Sequence, residues 1–230
     1  MGDIVLLNLI GVKVVLVHGG GPHIKSALDQ LGIESKFING LRVTDEATMK
    51  VVQMVLAGQV NKDLVNLIGS IGGKAIGLCG IDDQMIKVRK QSDELGYVGR
   101  ITDVDVSIIQ DNLDKGYIPV ISTIGTDTDG RGLQHQCRRC SLCHCKGHAC
   151  GKTGISDGYR RGLQRPEDPE SLISKLFVKE AKELIFNGNV GGGMIPKLQN
   201  CMDAIEEGVS RVHILDGRIK TLSASGNLYG

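Results

Sequence analysis

One stretch in the second half of the chain concentrates side chains that commonly bind metals. From His135 to Lys152 the sequence reads HQCRRCSLCHCKGHACGK and holds five of the seven cysteines and three of the six histidines. Thiolates and imidazoles are the usual zinc ligands, so residues 135–150 are a candidate zinc site. Structural zinc sites, however, usually draw ligand pairs from two separated loops, whereas here the ligands are crowded together. We therefore expect no metal site, and keep a zinc-binding, non-catalytic protein as the alternative.

A second pattern suited to chemistry is a glycine triplet between a strand and a helix. Residues 13–17, KVVLV, form a β-branched apolar run typical of a strand buried on both faces. His18 and three glycines follow, and Pro22 suits the first turn of a helix. Glycines let the backbone approach a ligand closely, and the amides at a helix start favour an anion. A glycine triplet alone more often forms a tight turn than a phosphate site, so the pattern gives a candidate anion site with the tight turn as the commoner alternative.

The elements that would position these residues alternate between strands and helices. Thr44, followed by two acidic residues, predicts a helix start. An apolar stripe then predicts a long helix: Val51, Val52, Val55, Leu56, Val60, Leu64, Val65 and Ile68. Strands are predicted at 75–79, 85–88, 118–122 and 211–219, and helices at 107–115 and 180–185. This alternation indicates an α/β sandwich, and only residues 131–165 show neither period.

The composition narrows the class of protein. The chain has 230 residues and a formal net charge of +1, a balance that argues against a general nucleic-acid binder. The segment 131–165 departs from this balance, because it holds eight Lys or Arg and one acid, Asp157. No apolar stretch reaches the length of a membrane span, and Asp3 stands where a signal peptide would carry positive charge. We predict a cytoplasmic protein with no nucleic-acid or membrane partner.

Several longer motifs occur in a specific order along the chain. They are VVLVHGGGPHI, FINGLRVTDEATMKVVQMVLAGQVNKDLVNLI, ELGYVGRITDVD, GYIPVIS, DPESLISKL, GGGMIPKL and HILDGRI. Together they resemble the N-acetylglutamate kinases of the amino acid kinase superfamily, and NGLRVTD separates this family from carbamate, aspartate and uridylate kinases. The resemblance implies a three-layer αβα sandwich with a mainly parallel central sheet. It also implies a substrate-binding lobe at 1–125 and a nucleotide-binding lobe at 126–230.

The resemblance implies an activity and a set of site residues. The family transfers the γ-phosphoryl of ATP, bound with Mg²⁺, to the side-chain carboxylate of N-acetyl-L-glutamate in arginine biosynthesis. By resemblance, the amides of Gly20 and Gly21 face the reacting carboxylate and phosphoryl, and Arg42 binds the α-carboxylate of the substrate. Lys197 would neutralise charge on the transferring and leaving phosphate oxygens, as both a catalytic and a nucleotide-binding residue. The ordinary alternatives are a turn, a surface salt bridge and a solvated lysine.

The sequence also departs from the family pattern. The family begins with a strand that ends in Lys-Tyr-Gly-Gly, whereas this sequence opens with MGDIVLLNLIG, which resembles a later helix of the family. An Asn-Ile-Asn-Ala-Asp motif is expected soon after 127–130, where RGLQHQCRR stands instead. We therefore expect the first strand and its lysine to be missing, and this copy to be inactive or impaired.

A shift of reading frame explains the atypical segments. Residues 133–139 can be encoded so that the frame one base later reads Tyr-Asn-Ile-Asn-Ala-Asp. The same offset converts 152–161 into Lys-Leu-Val-Phe-Leu-Thr-Asp-Ile-Glu-Gly, and 221–230 into a typical family ending. We interpret 131–165 and 221–230 as frameshifted, so that the nucleotide-binding lobe is disrupted there and the clustered cysteines have no shared role. Homo-oligomers and, in some lineages, a PII-type regulator are the protein partners that the resemblance implies.

Overall fold

The computed structural model describes residues 1–38, 41–135, 153–157, 176–188, 195–206 and 212–216. The chain divides into two compact units, Met1–Gly147 and His148–Gly230.

The first unit is built on a parallel sheet of three strands. The strands β1 (Leu16–His18), β4 (Ala75–Cys79) and β7 (Ile118–Ser122) lie in the order β1-β7-β4. All five residues of β7 are buried, as expected for the middle strand of a parallel sheet covered on both faces. His18 and Cys79 both pair with Ser122, so the carboxyl ends of the three strands meet at one edge.

A second sheet follows in the order β6-β5-β8-β9. Its strands are β5 (Ile86–Lys90), β6 (Gly99–Val104), β8 (Ile124–Thr126) and β9 (Gly132–Gln134). The β5–β8 pair is parallel, and the other two pairs are antiparallel. A small antiparallel hairpin, β2 (Phe37–Ile38) and β3 (Leu41–Arg42), stands apart from both sheets.

Helices of the first unit surround the parallel sheet. They are α1 (Gly2–Leu9), α2 (Gly21–Gln30), α3 (Glu46–Gln53), α4 (Asn61–Ser70) and α5 (Ser107–Asp114), with a 3₁₀ turn at Asp82–Gln84. The predicted long helix is confirmed, but between α3 and α4 it becomes a π-helix over Met54–Val60. Such segments are rare and occur frequently at functional sites.

Alternate residues of β7 show which helices cover each face of the sheet. Ile118 and Val120 pack in one cluster with Val5 of α1 and Ile68 of α4. Ile121 packs in another cluster that contains Ile109 of α5. Since neighbouring residues of a strand point to opposite faces, helices lie on both sides of the sheet, and the predicted αβα sandwich is confirmed.

The second unit contains a parallel strand pair and two helices. The strands β10 (Thr153–Asp157) and β11 (Val212–Asp216) pair with each other, and α6 (Val178–Phe186) and α7 (Ile195–Glu206) contact each other. An exposed ion pair joins the two helices, with Lys182 Nζ 2.9 Å from Glu206 Oε1.

Two strands lie within 131–165, the segment whose sequence shows neither a strand nor a helix period. Strand β9 pairs with β8, and β10 pairs with β11. Both strands are defined by backbone hydrogen bonds to a partner elsewhere in the chain, so the composition of the segment does not reveal them. Residues 136–152, 158–175 and 217–230, which hold most of the candidate zinc segment and of the frameshifted stretches, lie outside the described residues. Among the helices that the structure does describe, none has the length and apolarity needed to cross a membrane.

Candidate active site

The glycine loop joins a partly buried parallel strand to the start of a helix. Strand β1 ends at His18, Gly20 is the N-cap of α2, and Pro22 lies in the first turn. The first-turn amides of a helix have no partner within the helix, and they point along a dipole that favours anions. The loop lies at the carboxyl edge of the parallel sheet, where α/β proteins commonly bind their ligands. This placement agrees with the anion site predicted at the glycines.

The two glycines of the predicted site differ in their surroundings. A β-carbon added to Gly20 would lie 2.8 Å from Leu56 Cδ2 and 3.3 Å from Val60 Cγ2, both in the π-helical segment. A β-carbon on Gly21 would meet no heavy atom within 4 Å. Gly20 is therefore a glycine because the loop packs closely on the π-helix, whereas Gly21 faces open space.

The imidazole that precedes the glycines is buried and fixed at both nitrogens. His18 Nε2 lies 3.1 Å from Asn61 Nδ2, and His18 Nδ1 lies 3.2 Å from the carbonyl oxygen of Gly19. The Asn61 amide nitrogen can only donate, so Nε2 accepts and the Nδ1 hydrogen is donated to Gly19. Burial lowers the pKa of His18, so the ring is neutral at pH 7.

Arg42, the predicted ligand of the substrate α-carboxylate, lies on the β2–β3 hairpin. Its Nη1 donates to Ser35 Oγ, and its guanidinium carbon lies 4.7 Å from the centre of the Phe37 ring. Burial lowers the pKa of Arg42, an effect that the field of Asp29 opposes. Within the described residues no carboxylate lies within 4 Å of the guanidinium, which keeps most of its donors available for an acidic ligand.

The rest of the NGLRVTD motif anchors this hairpin to the start of α3. Thr44 is buried, and its hydroxyl donates to the carbonyl oxygen of Arg42 at 3.1 Å. Asp45 is the N-cap, because its carboxylate accepts the Thr48 amide at 2.8 Å, and this bond lowers the Asp45 pKa. The helix start predicted at Thr44 is confirmed, with the N-cap one residue later, at Asp45.

The ELGYVGR segment packs against the same threonine. The Thr44 amide donates to the Leu95 carbonyl at 3.0 Å, and the Tyr97 amide donates to the Thr44 carbonyl at 2.6 Å. Gly96 has a φ of +67°, and a β-carbon there would lie 2.2 Å from the Thr44 oxygen. The NGLRVTD and ELGYVGR motifs are thus joined by backbone hydrogen bonds into one local structure.

Helix α2 has two of the predicted site residues at its N-terminus and, near its C-terminus, the residue whose charge acts on a third. Gly20 and Gly21 lie at its N-terminus, while the field that acts on Arg42 comes from Asp29, about 12 Å further along the axis. Lys197 lies in α7 of the second unit, and its side chain lies outside the described part of the structure. The roles of these four residues remain predictions.

Sequence reasoning gave no role to His18 or Asn61. The sequence did contain one signal for Asn61. This polar residue lies four residues before Val65, at a position where the apolar stripe of the long helix would have an apolar residue. Asn61 is 1% exposed, which is unusual for an asparagine.

No group of three or more His, Cys, Asp or Glu in the described ranges could hold a metal ion. The zinc alternative concerns residues that lie mostly outside those ranges, so it stays an untested alternative to the prediction of no metal site.

The fold is an α/β sandwich whose glycine loop is suited to an anion, and comparison with known proteins gives the class of enzyme. The model of the amino acid kinase family matches residues 1–140. The solved structure of smu.665 from Streptococcus mutans UA159 superposes with a TM-score of 0.84 at 25% identity, covering 94% of this chain and 89% of that one.

Curated relatives narrow the class further. An acetylglutamate kinase of Thermoanaerobacter sp. (strain X514) is 44% identical over 221 residues, which cover 95% of this chain and 74% of the relative. The acetylglutamate kinase of Clostridioides difficile (strain 630) is 46% identical over 220 residues, with 95% and 77% covered. The chain belongs to the amino acid kinase family, among the acetylglutamate kinases. Membership makes it a kinase, with ATP as the phosphoryl donor.

Proposed function

We propose that the protein is an acetylglutamate kinase of arginine biosynthesis that transfers the γ-phosphoryl of ATP to the side-chain carboxylate of N-acetyl-L-glutamate. The observation that carries the proposal is the 44–46% identity to acetylglutamate kinases over 95% of the chain. The geometry supports it, because one α/β unit holds both a helix-start anion site and an arginine without a carboxylate partner in the described residues.

The chemistry requires positioning and charge neutralisation rather than a protein nucleophile. A carboxylate oxygen of the substrate forms a bond to the γ-phosphorus while the bond from that phosphorus to the β–γ bridging oxygen breaks, and ADP leaves with the electron pair. No proton has to move. Charge develops on the phosphoryl oxygens, where the amides of Gly20 and Gly21 would donate and Lys197 would neutralise. Arg42 would hold the α-carboxylate with its planar fork.

Mg²⁺ would enter the site with the nucleotide. Mg²⁺ that accompanies a nucleotide is bound mainly by phosphate oxygens and water, with one or two protein carboxylates. When bound, it would offset the negative charge of the β- and γ-phosphates.

In the sequence as it stands, we expect kcat to be reduced more than the affinity for the substrate. The family's Asn-Ile-Asn-Ala-Asp motif is absent from 131–139, and loss of one preorganised contact commonly lowers kcat about 10²- to 10³-fold. We propose that the frame-restored protein is fully active. A cytoplasmic homo-oligomer and a PII-type regulator belong to the same proposal, and rest on the resemblance alone.

The test compares the chain as it stands with the frame-restored version in an assay for acyl phosphate, trapped with hydroxylamine. We expect N-acetylglutamate-dependent and Mg²⁺-dependent turnover from the restored version, and little or none from the chain as it stands. A restored version that phosphorylates no N-acetylglutamate contradicts the proposed activity. One zinc ion bound tightly by the chain as it stands, with ordering of 135–150, would support the non-catalytic alternative instead.

In the restored version, Lys197→Ala should lower kcat about 10²- to 10³-fold and change the KM for N-acetylglutamate little, since its charge is needed chiefly in the transition state. Lys179→Ala, in α6, is the matched control. A rise in KM alone would remove Lys197 from the proposed role.

A further inference from the structure

We propose that Asn61 is a positioning residue that, through His18, fixes the direction in which the Gly20 amide points. The structural part of this inference stands on contacts within the first unit. Its kinetic part rests on the proposed function.

The side-chain amide of Asn61 is fully used by its neighbours. Its Nδ2 lies 3.1 Å from His18 Nε2, 2.9 Å from the Val120 carbonyl and 3.3 Å from the Leu78 carbonyl. Both carbonyls are acceptors only, which fixes the orientation of the amide and makes Nε2 an acceptor as well. The NH₂ group has two hydrogens for these three acceptors, so one hydrogen is shared between two of them. Asn61 Oδ1 accepts from Lys62 Nζ at 3.3 Å. One buried side chain therefore ties α4 to β1, β4 and β7.

A glycine in the facing strand makes room for this amide. A β-carbon added to Gly77 would lie 2.0 Å from Asn61 Oδ1 and 2.7 Å from Lys62 Nζ. Lys62 Nζ ends a flexible side chain and can move away, but Asn61 is fully buried, so a larger residue at position 77 would displace the amide. Gly77 supports the inference independently of the hydrogen bonds.

The imidazole transmits this constraint to the glycine loop. With Nε2 occupied as an acceptor, the ring hydrogen is on Nδ1 and is donated to the Gly19 carbonyl, 3.2 Å away. A trans peptide holds its C=O and the following N–H on opposite sides of the plane. The carbonyl of Gly19 is held toward the ring, so the N–H of Gly20 points away from it.

The Gly20 amide is left available by this arrangement. Within the described residues the Gly20 N–H donates to no protein acceptor, while the Gly20 carbonyl accepts from the Ile24 amide at 2.8 Å. Leu56 and Val60 close the other side of the loop, and Asn61 directly follows Val60 in the chain. Packing by the π-helix and hydrogen bonding by the residue after it thus act on the same short loop.

The inference predicts a specific spectroscopic state of His18. In ¹H–¹⁵N spectra of the full chain, the His18 ring should be protonated on Nδ1, the less common tautomer of a neutral imidazole. Loss of the signal in His18→Gln assigns it. Asn61→Asp replaces the donor with an acceptor, so the ring should become protonated on Nε2. A His18 ring of the unaltered chain protonated on Nε2 overturns the proposal, whatever the activity.

The kinetic arm uses the frame-restored version. Asn61→Ala and Gly77→Ala should both lower kcat, by as much as about 10²-fold, with the KM for N-acetylglutamate within about threefold of normal, because the amide they misdirect acts mainly in the transition state. Asn112→Ala is the matched control, since Asn112 Nδ2 also donates to a backbone carbonyl, that of Ile108 at 2.7 Å. A merely structural role would lower thermal stability and leave kcat per folded molecule unchanged, which also overturns the proposal. If the frame-restored version without further substitutions fails to phosphorylate N-acetylglutamate, the proposed function is refuted. The tautomer of His18 then decides whether Asn61 has the positioning role.

Discussion

The glycine loop is enclosed by buried side chains, whereas the Arg42 hairpin is short and partly exposed. Gly20 is enclosed by Leu56 and Val60 and fixed through a buried histidine. The hairpin has strands of two residues, and the Phe37 ring that contacts Arg42 is 56% exposed. A loop fixed before the ligand arrives suits donors that stabilise a transition state, whereas a half-buried arginine with free donors suits recognition of a substrate carboxylate. The two regions should therefore affect different kinetic constants.

The largest effect is expected from Gly20→Ala. The new methyl group would meet Leu56, which is fully buried and cannot easily move, so the free energy of unfolding should fall by about 1–3 kcal/mol. The displaced loop should lower kcat of the frame-restored version about 10²- to 10³-fold. Chemical denaturation and steady-state kinetics provide the two measurements.

Gly21→Ala is the matched control for stability. It places a methyl group in open space within a helix, so unfolding free energy should stay within about 1 kcal/mol, on the stabilising side. Equal destabilisation by both substitutions would show that Gly20 is not closely packed.

Arg42→Ala should change substrate affinity rather than turnover. Loss of a charge-assisted, bidentate partner worth about 1.5–3 kcal/mol should raise the KM for N-acetylglutamate about 10- to 150-fold. Arg42→Lys retains the charge but not the fork, and should restore only part of the affinity. An unchanged KM would remove Arg42 from the site.

Phe37→Leu is a smaller test of the same hairpin. An exposed cation–π contact is worth about 0.5–1 kcal/mol, so its loss should raise the KM about 2- to 5-fold through looser positioning of Arg42. In the Arg42→Ala background the substitution should have no further effect. An equal effect in both backgrounds would mean that Phe37 acts without Arg42.

Asp45→Ala should affect stability alone, by about 1 kcal/mol, because it removes the N-cap of α3. The Asp45 pKa is lowered in the folded state, so the capping contribution is present above the unfolded pKa of about 3.9 and is lost as the pH falls through the folded value. Asp45→Asn keeps a capping oxygen that does not titrate, and should retain stability in acid relative to Asp45. Equal acid sensitivity of the two proteins would contradict this role.

Local features of this fold could be predicted from sequence, and non-local ones could not. The order of strand, glycine loop and helix at 13–31 and the helix start near Thr44 depend on neighbouring residues, so short-range sequence patterns predict them. The role of Asn61 could not be predicted, because its partners His18, Leu78 and Val120 lie 43, 17 and 59 residues away. The π-helix could not be predicted, because apolar spacing over a few turns does not distinguish it from an α-helix.

The most direct test of the contrast between loop and hairpin is the binding isotherm of N-acetylglutamate, measured by calorimetry on the chain as it stands. We predict that Arg42→Ala raises the Kd about 10- to 150-fold, whereas Gly20→Ala changes the Kd by less than about fivefold. A Kd raised as much by Gly20→Ala as by Arg42→Ala would contradict the division between transition-state positioning and substrate recognition.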